Sequence, residues 1–104
     1  MVQRKFLAYV HDFPDEDCIN RRLSVREQHI ANNSELKKEG KSLILGGAVT
    51  DKDGIMRGSS LVYLAKDRAE VLSLMQKDIY VKARVWNMAT AAIFDMTNEF
   101  SLLN

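Results

Sequence analysis

The chain of 104 residues is 46% hydrophobic, which suffices to bury one core but not two, so we expect a single domain over residues 1–104. Its 15 basic and 14 acidic residues are spread along the chain, and no basic, aromatic stretch could follow a phosphate backbone, so we expect no nucleic-acid partner. No long apolar segment or signal peptide is evident, so we expect no membrane contact. The single cysteine, Cys18, fits a cytoplasmic protein.

The first half of the chain predicts a strand, a long helix and a second strand. Residues 5–10 are rich in β-branched and aromatic side chains, which favours a strand. Residues 17–39 contain neither glycine nor proline and end at two lysines before Gly40, a pattern typical of a helix and its stop. Residues 42–49 predict a strand whose two glycines, Gly46 and Gly47, indicate a bulge or a close backbone approach.

The second half predicts a strand, a helix and a final strand. The sequence DKDG at residues 51–54 supplies a turn into a third strand at residues 59–65. Asp67 can cap a second helix that runs to about residue 77. Alternating side chains over residues 85–96 predict a long fourth strand. The order βαββαβ predicts an α+β, ferredoxin-like sandwich, with a four-stranded antiparallel sheet and two helices on one face.

The sheet face opposite the helices is expected to be apolar. The first and fourth predicted strands carry large apolar side chains on both of their alternating faces. A large uncovered apolar face is rare on a soluble monomer. We therefore expect a homodimer in which a second copy covers this face.

Polar residues interrupt the apolar side of the first predicted helix. Successive helical residues turn by about 100°. Two apolar rows then run along the helix: Leu23 with Ile30, and Val25 with Leu36. Four polar residues project between these rows: Arg22, Arg26, His29 and Asn33. A small anionic or phenolic ligand could contact both the polar groups and the apolar wall. A buried helix histidine beside arginines that reach solvent explains the spacing equally well.

Three short motifs follow one another along nearly the whole chain. They are an Arg-x-x-His in the first helix (Arg26 to His29), the glycine-containing strand LILGGA, and Asp78-Ile-Tyr80 after the second helix. In this order they resemble the YciI-like, or YCII-related, domain family. The third motif departs from that family at Ile79, where a proline is usual.

The resemblance implies a fold, an assembly and a site. It implies a dimeric α/β barrel, in which two ferredoxin-like sheets pack face to face. It implies a His-Asp pair, which by position is His29 and Asp78. Relatives of this barrel include cofactor-free enzymes that act on small aromatic or lactone compounds, so we expect no cofactor. No spacing of metal-binding side chains supports a metal site.

These residues favour a cofactor-free lyase or isomerase that moves a proton on a small cyclic or phenolic substrate. His29 would move the proton and Asp78 would orient its ring, because imidazole titrates near neutrality and a carboxylate fixes its tautomer. The predicted substrate-binding residues are Arg22, Arg26, Asn33, Tyr80 and Trp86. Two alternatives stay open: a non-catalytic small-molecule-binding or regulatory dimer, and a plain structural module with a solvated polar seam.

Overall fold

The computed structural model describes residues 3–38 and 42–97. The major elements are β1 (Arg4–His11), α1 (Cys18–Lys38), β2 (Leu43–Thr50), β3 (Met56–Ala65), α2 (Arg68–Gln76), α3 (Ile79–Lys82) and β4 (Ala92–Asp95). The strands form one antiparallel sheet in the order β2-β3-β1-β4. This is the predicted ferredoxin-like architecture. The predicted helix stop at Gly40 lies outside the described residues.

One face of the sheet carries the core. In β1, the buried side chains Phe6, Ala8 and Val10 alternate with partly exposed ones. Their partners across the ladder to β3 are also buried: Tyr63, Leu61 and Ser59. Side chains from both long helices pack into the same core: Cys18, Val71 and Met75. The helices therefore cover this face, as the alternation in β1 predicts.

Two polar residues of α1 face inward, whereas one of its two apolar rows is exposed. Arg22 and His29 are 2% and 8% exposed, whereas Leu23 and Ile30 are 53% and 44% exposed. Each buried residue lies next to an exposed leucine or isoleucine along the helix. Arg22 and His29 therefore point towards the sheet, and buried polar groups of this kind need partners in the structure.

The β2–β3 connection is the turn that the sequence predicts. The carboxylate of Asp51 accepts hydrogen bonds from the backbone N–H groups of Asp53 and Ile55, and Gly54 adopts a left-handed φ of 81°. The register of β2 against β3 shifts between Leu43 and Leu45 and between Val49 and Thr50, so the predicted bulge does not lie at the glycines. Gly46 makes a close approach, because a Cβ there would lie 3.3 Å from Leu61 Cδ2.

The long fourth strand predicted over residues 85–96 is wrong. Only Ala92–Asp95 forms a strand, and a single 3-10 turn, Met88–Thr90, precedes it. The side chain of Asn87 caps this turn by accepting from the N–H of Ala89. Capping side chains compete with strand pairing, so an alternating apolar pattern alone misplaces the start of the strand. Trp86 instead makes an isolated bridge to Asp12.

The connection after α2 is also more ordered than its sequence suggests. Asp78 caps the one-turn helix α3, and Arg84 follows in the left-handed region with φ at 59°. This reversal returns the chain towards the core, where Val85 and Trp86 are buried. No helix within the described ranges is long and apolar enough to cross a bilayer.

Candidate active site

His29 and Asp78 form a buried pair between α1 and the start of α3. The His29 Nδ1 atom lies 2.8 Å from each carboxylate oxygen of Asp78. Their side chains are 10% and 3% exposed. An ionised carboxylate can only accept hydrogen bonds, so Nδ1 is the ring atom that carries the proton in this contact. The structure thus brings together the two residues that the resemblance pairs.

The capping role of Asp78 fixes the position of its carboxylate. Its Oδ1 atom accepts from the backbone N–H of Tyr80 at 2.9 Å, as an N-cap residue does. Ile79 occupies the first helical position, where proline is well tolerated because its missing N–H has no helical partner. The isoleucine therefore leaves the cap intact. The backbone bond to Tyr80 supplies the constraint that a proline would otherwise help to provide.

Asn33 contacts the other ring nitrogen of His29. Asn33 lies one helical turn beyond His29, and its Nδ2 atom is 3.1 Å from His29 Nε2. An amide N–H donates, so Nε2 accepts in this arrangement. The neutral tautomer with the proton on Nδ1 satisfies both contacts. His29 then presents a basic Nε2 lone pair next to the Asn33 amide.

Two aromatic rings hold the imidazole plane. The Tyr80 ring is stacked on His29 with centroids 3.9 Å apart and an interplanar angle of 14°. Trp86 meets the imidazole edge-on at 5.6 Å. Burial raises the pKa of Tyr80, and the nearby charges of Arg22 and Arg26 oppose that rise. Tyr80 therefore keeps its phenolic proton at neutral pH.

A second buried network lies beside this pair. Arg22 Nη1 donates to both carboxylate oxygens of Asp12 at 2.8 and 2.9 Å, and Nη2 donates to Ser59 Oγ at 2.9 Å. Trp86 Nε1 donates to the same Ser59 oxygen at 3.0 Å. The Arg22 guanidinium also lies 4.7 Å from the centre of the Tyr80 ring. Burial raises the pKa of Asp12, and Arg22 opposes the rise by charge and hydrogen bonding.

A cavity of about 160 Å³ opens between α1 and the edge strand β2. Polar residues and a backbone segment contribute to its wall: Arg22, Arg26, His29, Asn33, Lys37, Ser59 and Gly46. Cavities of roughly 150 Å³ hold a benzene-sized ring. Within the described residues the lining contains no carboxylate, because Asp12 and Asp78 lie behind Arg22 and His29. The cavity therefore suits a small ring that carries a negative charge.

A larger cavity, about 500 Å³, lies next to residues 11–19 and 55–57. It contacts Cys18, whose thiol donates to Val85 O and whose pKa is raised by burial. The charged group buried there, Asp12, is already paired with Arg22. No group of three metal-binding side chains occurs within residues 3–38 and 42–97. The smaller cavity is therefore the better candidate, because it alone of the two is lined by His29.

The predicted site residues converge on this region with different roles. Arg26 lines the cavity from an exposed position on α1, and Tyr80 lines it from α3. Trp86 is not among the described residues that line this cavity, and it contacts His29 and Ser59 instead. Sequence reasoning missed the following residues of the site: Asp12, Lys37 and Ser59. The spacing of α1 carried a signal for Lys37, which lies one turn after Asn33.

Comparison with known protein families places nearly the whole chain in one of them. The sequence pattern of the YCII-related domain matches residues 5–97. The chain belongs to the YCII-related domain family. No curated protein sequence matches the chain.

Solved structures resemble this YCII-related domain over most of its length. One is 5-chloro-2-hydroxyhydroquinone dehydrochlorinase (TftG) from Burkholderia phenoliruptrix AC1100, in complex with 2,5-dihydroxybenzoquinone. It has a TM-score of 0.71 and 25% identity over 91% of this chain and 95% of that chain. Another is SnoaB, a cofactor-independent oxygenase from Streptomyces nogalater, with a TM-score of 0.50 and 8% identity over 100% of both chains. The second likeness concerns the fold alone.

Proposed function

We propose that this YCII-related domain is a cofactor-free lyase or isomerase in which His29 transfers a proton on a small cyclic or phenolic substrate. The observation that carries this proposal is the arrangement of the imidazole: Nδ1 is hydrogen-bonded to a buried carboxylate, and His29 lines a ligand-sized cavity together with Asn33, whose amide contacts Nε2. A base held this way accepts a proton at Nε2 while Asp78 stabilises the resulting imidazolium.

The proposed step needs no redox partner. Nε2 takes a proton from an acidic O–H or C–H group of the substrate, and the electron pair of that bond stays on the substrate. In a lyase reaction this pair forms a new double bond while a leaving group such as chloride departs with its own bonding pair. In an isomerase reaction the proton returns at another atom of the same ring. Before the step, the substrate must displace the Asn33 amide from Nε2.

The substrate class follows from the cavity and from the likeness to the dehydrochlorinase. The cavity is the size of one ring, and the exposed cations in its lining, Arg26 and Lys37, have no carboxylate beside them there. A phenol or hydroxyquinone gains acidity near such charges. The dehydrochlorinase structure holds a dihydroxybenzoquinone, and 25% identity over 91% of this chain supports testing the same class here. Arg26 would bind the ligand anion at the rim.

The test combines binding with turnover. We expect 2,5-dihydroxybenzoquinone to bind, and 5-chloro-2-hydroxyhydroquinone to release chloride in the presence of the protein. Arg26→Ala is expected to weaken quinone binding about tenfold, because a charge-assisted hydrogen bond is lost, and to leave the melting temperature nearly unchanged, because Arg26 is exposed. Calorimetry measures the affinity. A sharp fall in melting temperature with unchanged affinity would show that Arg26 serves the fold instead.

A second candidate function is ligand binding without chemistry. It is favoured by the hydrogen bond from the Asn33 amide to His29 Nε2, which leaves this nitrogen without a free lone pair in this structure. In that case the quinone binds, and neither the chlorinated compound nor other ring substrates are converted. The binding and turnover measurements above therefore separate the two functions.

We also propose that the domain works as a homodimer joined through the sheet face opposite the helices. Leu45 and Phe94 are 51% and 54% exposed on that face, on the two edge strands β2 and β4. Other apolar side chains lie between them on the same face: Leu7, Val62 and Leu64. A second copy would bury this surface, and a stable interface needs at least about 1,000 Å² in total.

Placing charges on this face is expected to separate the protomers. The double substitution of Leu45→Glu with Phe94→Glu puts four like charges into one dimer interface, which opposes association. Leu23→Glu is the matched control, because Leu23 is 53% exposed on the helix side. Sedimentation equilibrium should give twice 11.9 kDa for the wild type and the control, and 11.9 kDa for the double variant. A monomeric wild type at micromolar concentration would exclude the dimer.

A further inference from the structure

The buried hydroxyl of Ser59 accepts two hydrogen bonds and donates none within residues 3–38 and 42–97. Its Oγ atom accepts one hydrogen bond from Arg22 Nη2 and another from Trp86 Nε1. A serine hydroxyl has two acceptor positions and one donor. Both acceptor positions are therefore filled by N–H groups. The remaining function of the hydroxyl is to donate, and Ser59 lies in the cavity wall with only 2% of its surface exposed.

Arg22 has a similar unused donor. Its Nη1 atom binds Asp12 and its Nη2 atom binds Ser59, but its buried Nε atom has no partner within residues 3–38 and 42–97. Arg22 is 2% exposed and also lines the cavity. Buried donors are paired in the great majority of cases, because an unpaired one loses its hydration without compensation. Ser59 and Arg22 are hydrogen-bonded to each other, and each has an unused donor. These two donors indicate a binding site for an acceptor atom of a ligand.

We propose that Ser59 and Arg22 form an oxyanion site in the wall of this cavity. The Ser59 hydroxyl and the Arg22 Nε–H donate to one charged oxygen of the ligand, of the phenolate, enolate or carboxylate class. The proposal rests on the proposed function, since this oxygen is where negative charge collects when His29 removes a proton. Donors that are already fixed in place stabilise such charge without reorganising.

The site differs in kind from the exposed cations of the cavity. Arg26 and Lys37 are exposed on α1, so solvent screens their attraction for an anion. Ser59 and Arg22 are held from behind by Trp86 and Asp12, which leaves their donors little freedom to turn away. The exposed pair attracts an anion, and the buried pair recognises its oxygen.

The experiment compares two ring ligands of similar size. 2,5-Dihydroxybenzoquinone ionises readily, whereas 2,5-dimethylbenzoquinone carries methyl groups in place of the hydroxyls and stays neutral. Ser59→Ala is expected to weaken binding of the dihydroxy compound about tenfold while affecting the dimethyl compound much less. Ser34→Ala is the matched control, since Ser34 lines the same cavity from an exposed position. It is expected to change neither affinity by more than about twofold.

Equal losses for both ligands in Ser59→Ala would mean that Ser59 only supports the fold, and no loss would mean that it does not touch the ligand. Either result overturns the proposal. Should Ser59→Ala fail to fold, the variant with both Arg26→Ala and Lys37→Ala gives the answer. We expect it to keep a preference for the dihydroxy ligand, whereas loss of all preference would assign recognition to the exposed cations alone.

These measurements concern binding, so they separate this inference from the proposed function. Binding that depends on Ser59 without turnover would contradict the enzyme and keep the oxyanion site. Turnover in a Ser59→Ala variant with unchanged affinity would support the enzyme and contradict the oxyanion site.

Discussion

Replacing Asp78 by asparagine is expected to lower turnover of the chlorinated hydroquinone by about 10⁴-fold, the size of effect seen when a histidine base loses its orienting carboxylate. The Asp78 Oδ1 atom accepts from the Tyr80 N–H as well as from His29. An asparagine whose oxygen keeps the Tyr80 bond turns its NH₂ group towards Nδ1. Nδ1 must then accept, the ring proton moves to Nε2, and the base is lost.

The same substitution should leave the fold and the dimer in place. Asparagine is as good an N-cap as aspartate, so α3 keeps its start. The variant with His29→Gln is the matched control for turnover, because it removes the base itself. Chloride release in Asp78→Asn close to the wild-type rate, with a normal circular dichroism spectrum, would show that the carboxylate does not act through His29.

Replacing Arg22 by methionine is expected to destabilise the domain by about 3–5 kcal/mol, because Asp12 would lose its buried partner. Urea unfolding measures the change. The loss should depend on pH. Without Arg22, burial raises the pKa of Asp12 further above its unfolded value. Below the pKa that Asp12 has in the unfolded chain, the variant therefore approaches wild-type stability. It loses stability as pH rises through the pKa that Asp12 has in the folded variant.

Two variants test whether this loss belongs to the buried pair. Arg21→Met removes the neighbouring arginine, which binds Asp15 at the surface, and should change stability far less. Asp12→Asn combined with Arg22→Met removes the unpaired charge and should recover part of the loss. If the two arginine variants are equally stable at neutral pH, the pair of Arg22 and Asp12 contributes nothing to the fold.

The sequence could predict the contact between His29 and Asp78, because short motifs at fixed positions resemble those of a known family. It could not predict Ser59 or the partner of Arg22. Those contacts depend on the register that places Val10 opposite Ser59, and on the bridge of Asp12 to Trp86. Such pairings join residues far apart in the chain, and no local pattern records them.

The row of Leu23 and Ile30 was a misleading signal for the orientation of α1, whereas the row of Val25 and Leu36 does pack against the core. Hydrophobic periodicity predicts that Leu23 and Ile30 face the sheet, but both are exposed. Arg22 and His29 face inward because each finds an acidic partner there. The prediction of the fold class depended less on which face of α1 points inward, because the turn and capping residues make the order of strands and helices clear. The start of β4 was mispredicted because the local cap of Asn87 outweighs the alternating pattern.

The measurement that tests the central claim most directly is nitrogen NMR of the His29 ring in the wild-type domain and in Asp78→Asn. In the neutral ring of the wild type, Nδ1 should carry the proton and Nε2 should be unprotonated, accepting from Asn33 until a ligand displaces that amide. In the Asp78→Asn variant the proton should move to Nε2. A wild-type ring protonated at Nε2, or a tautomer that the substitution leaves unchanged, would contradict the claim that Asp78 holds His29 as a base facing the cavity.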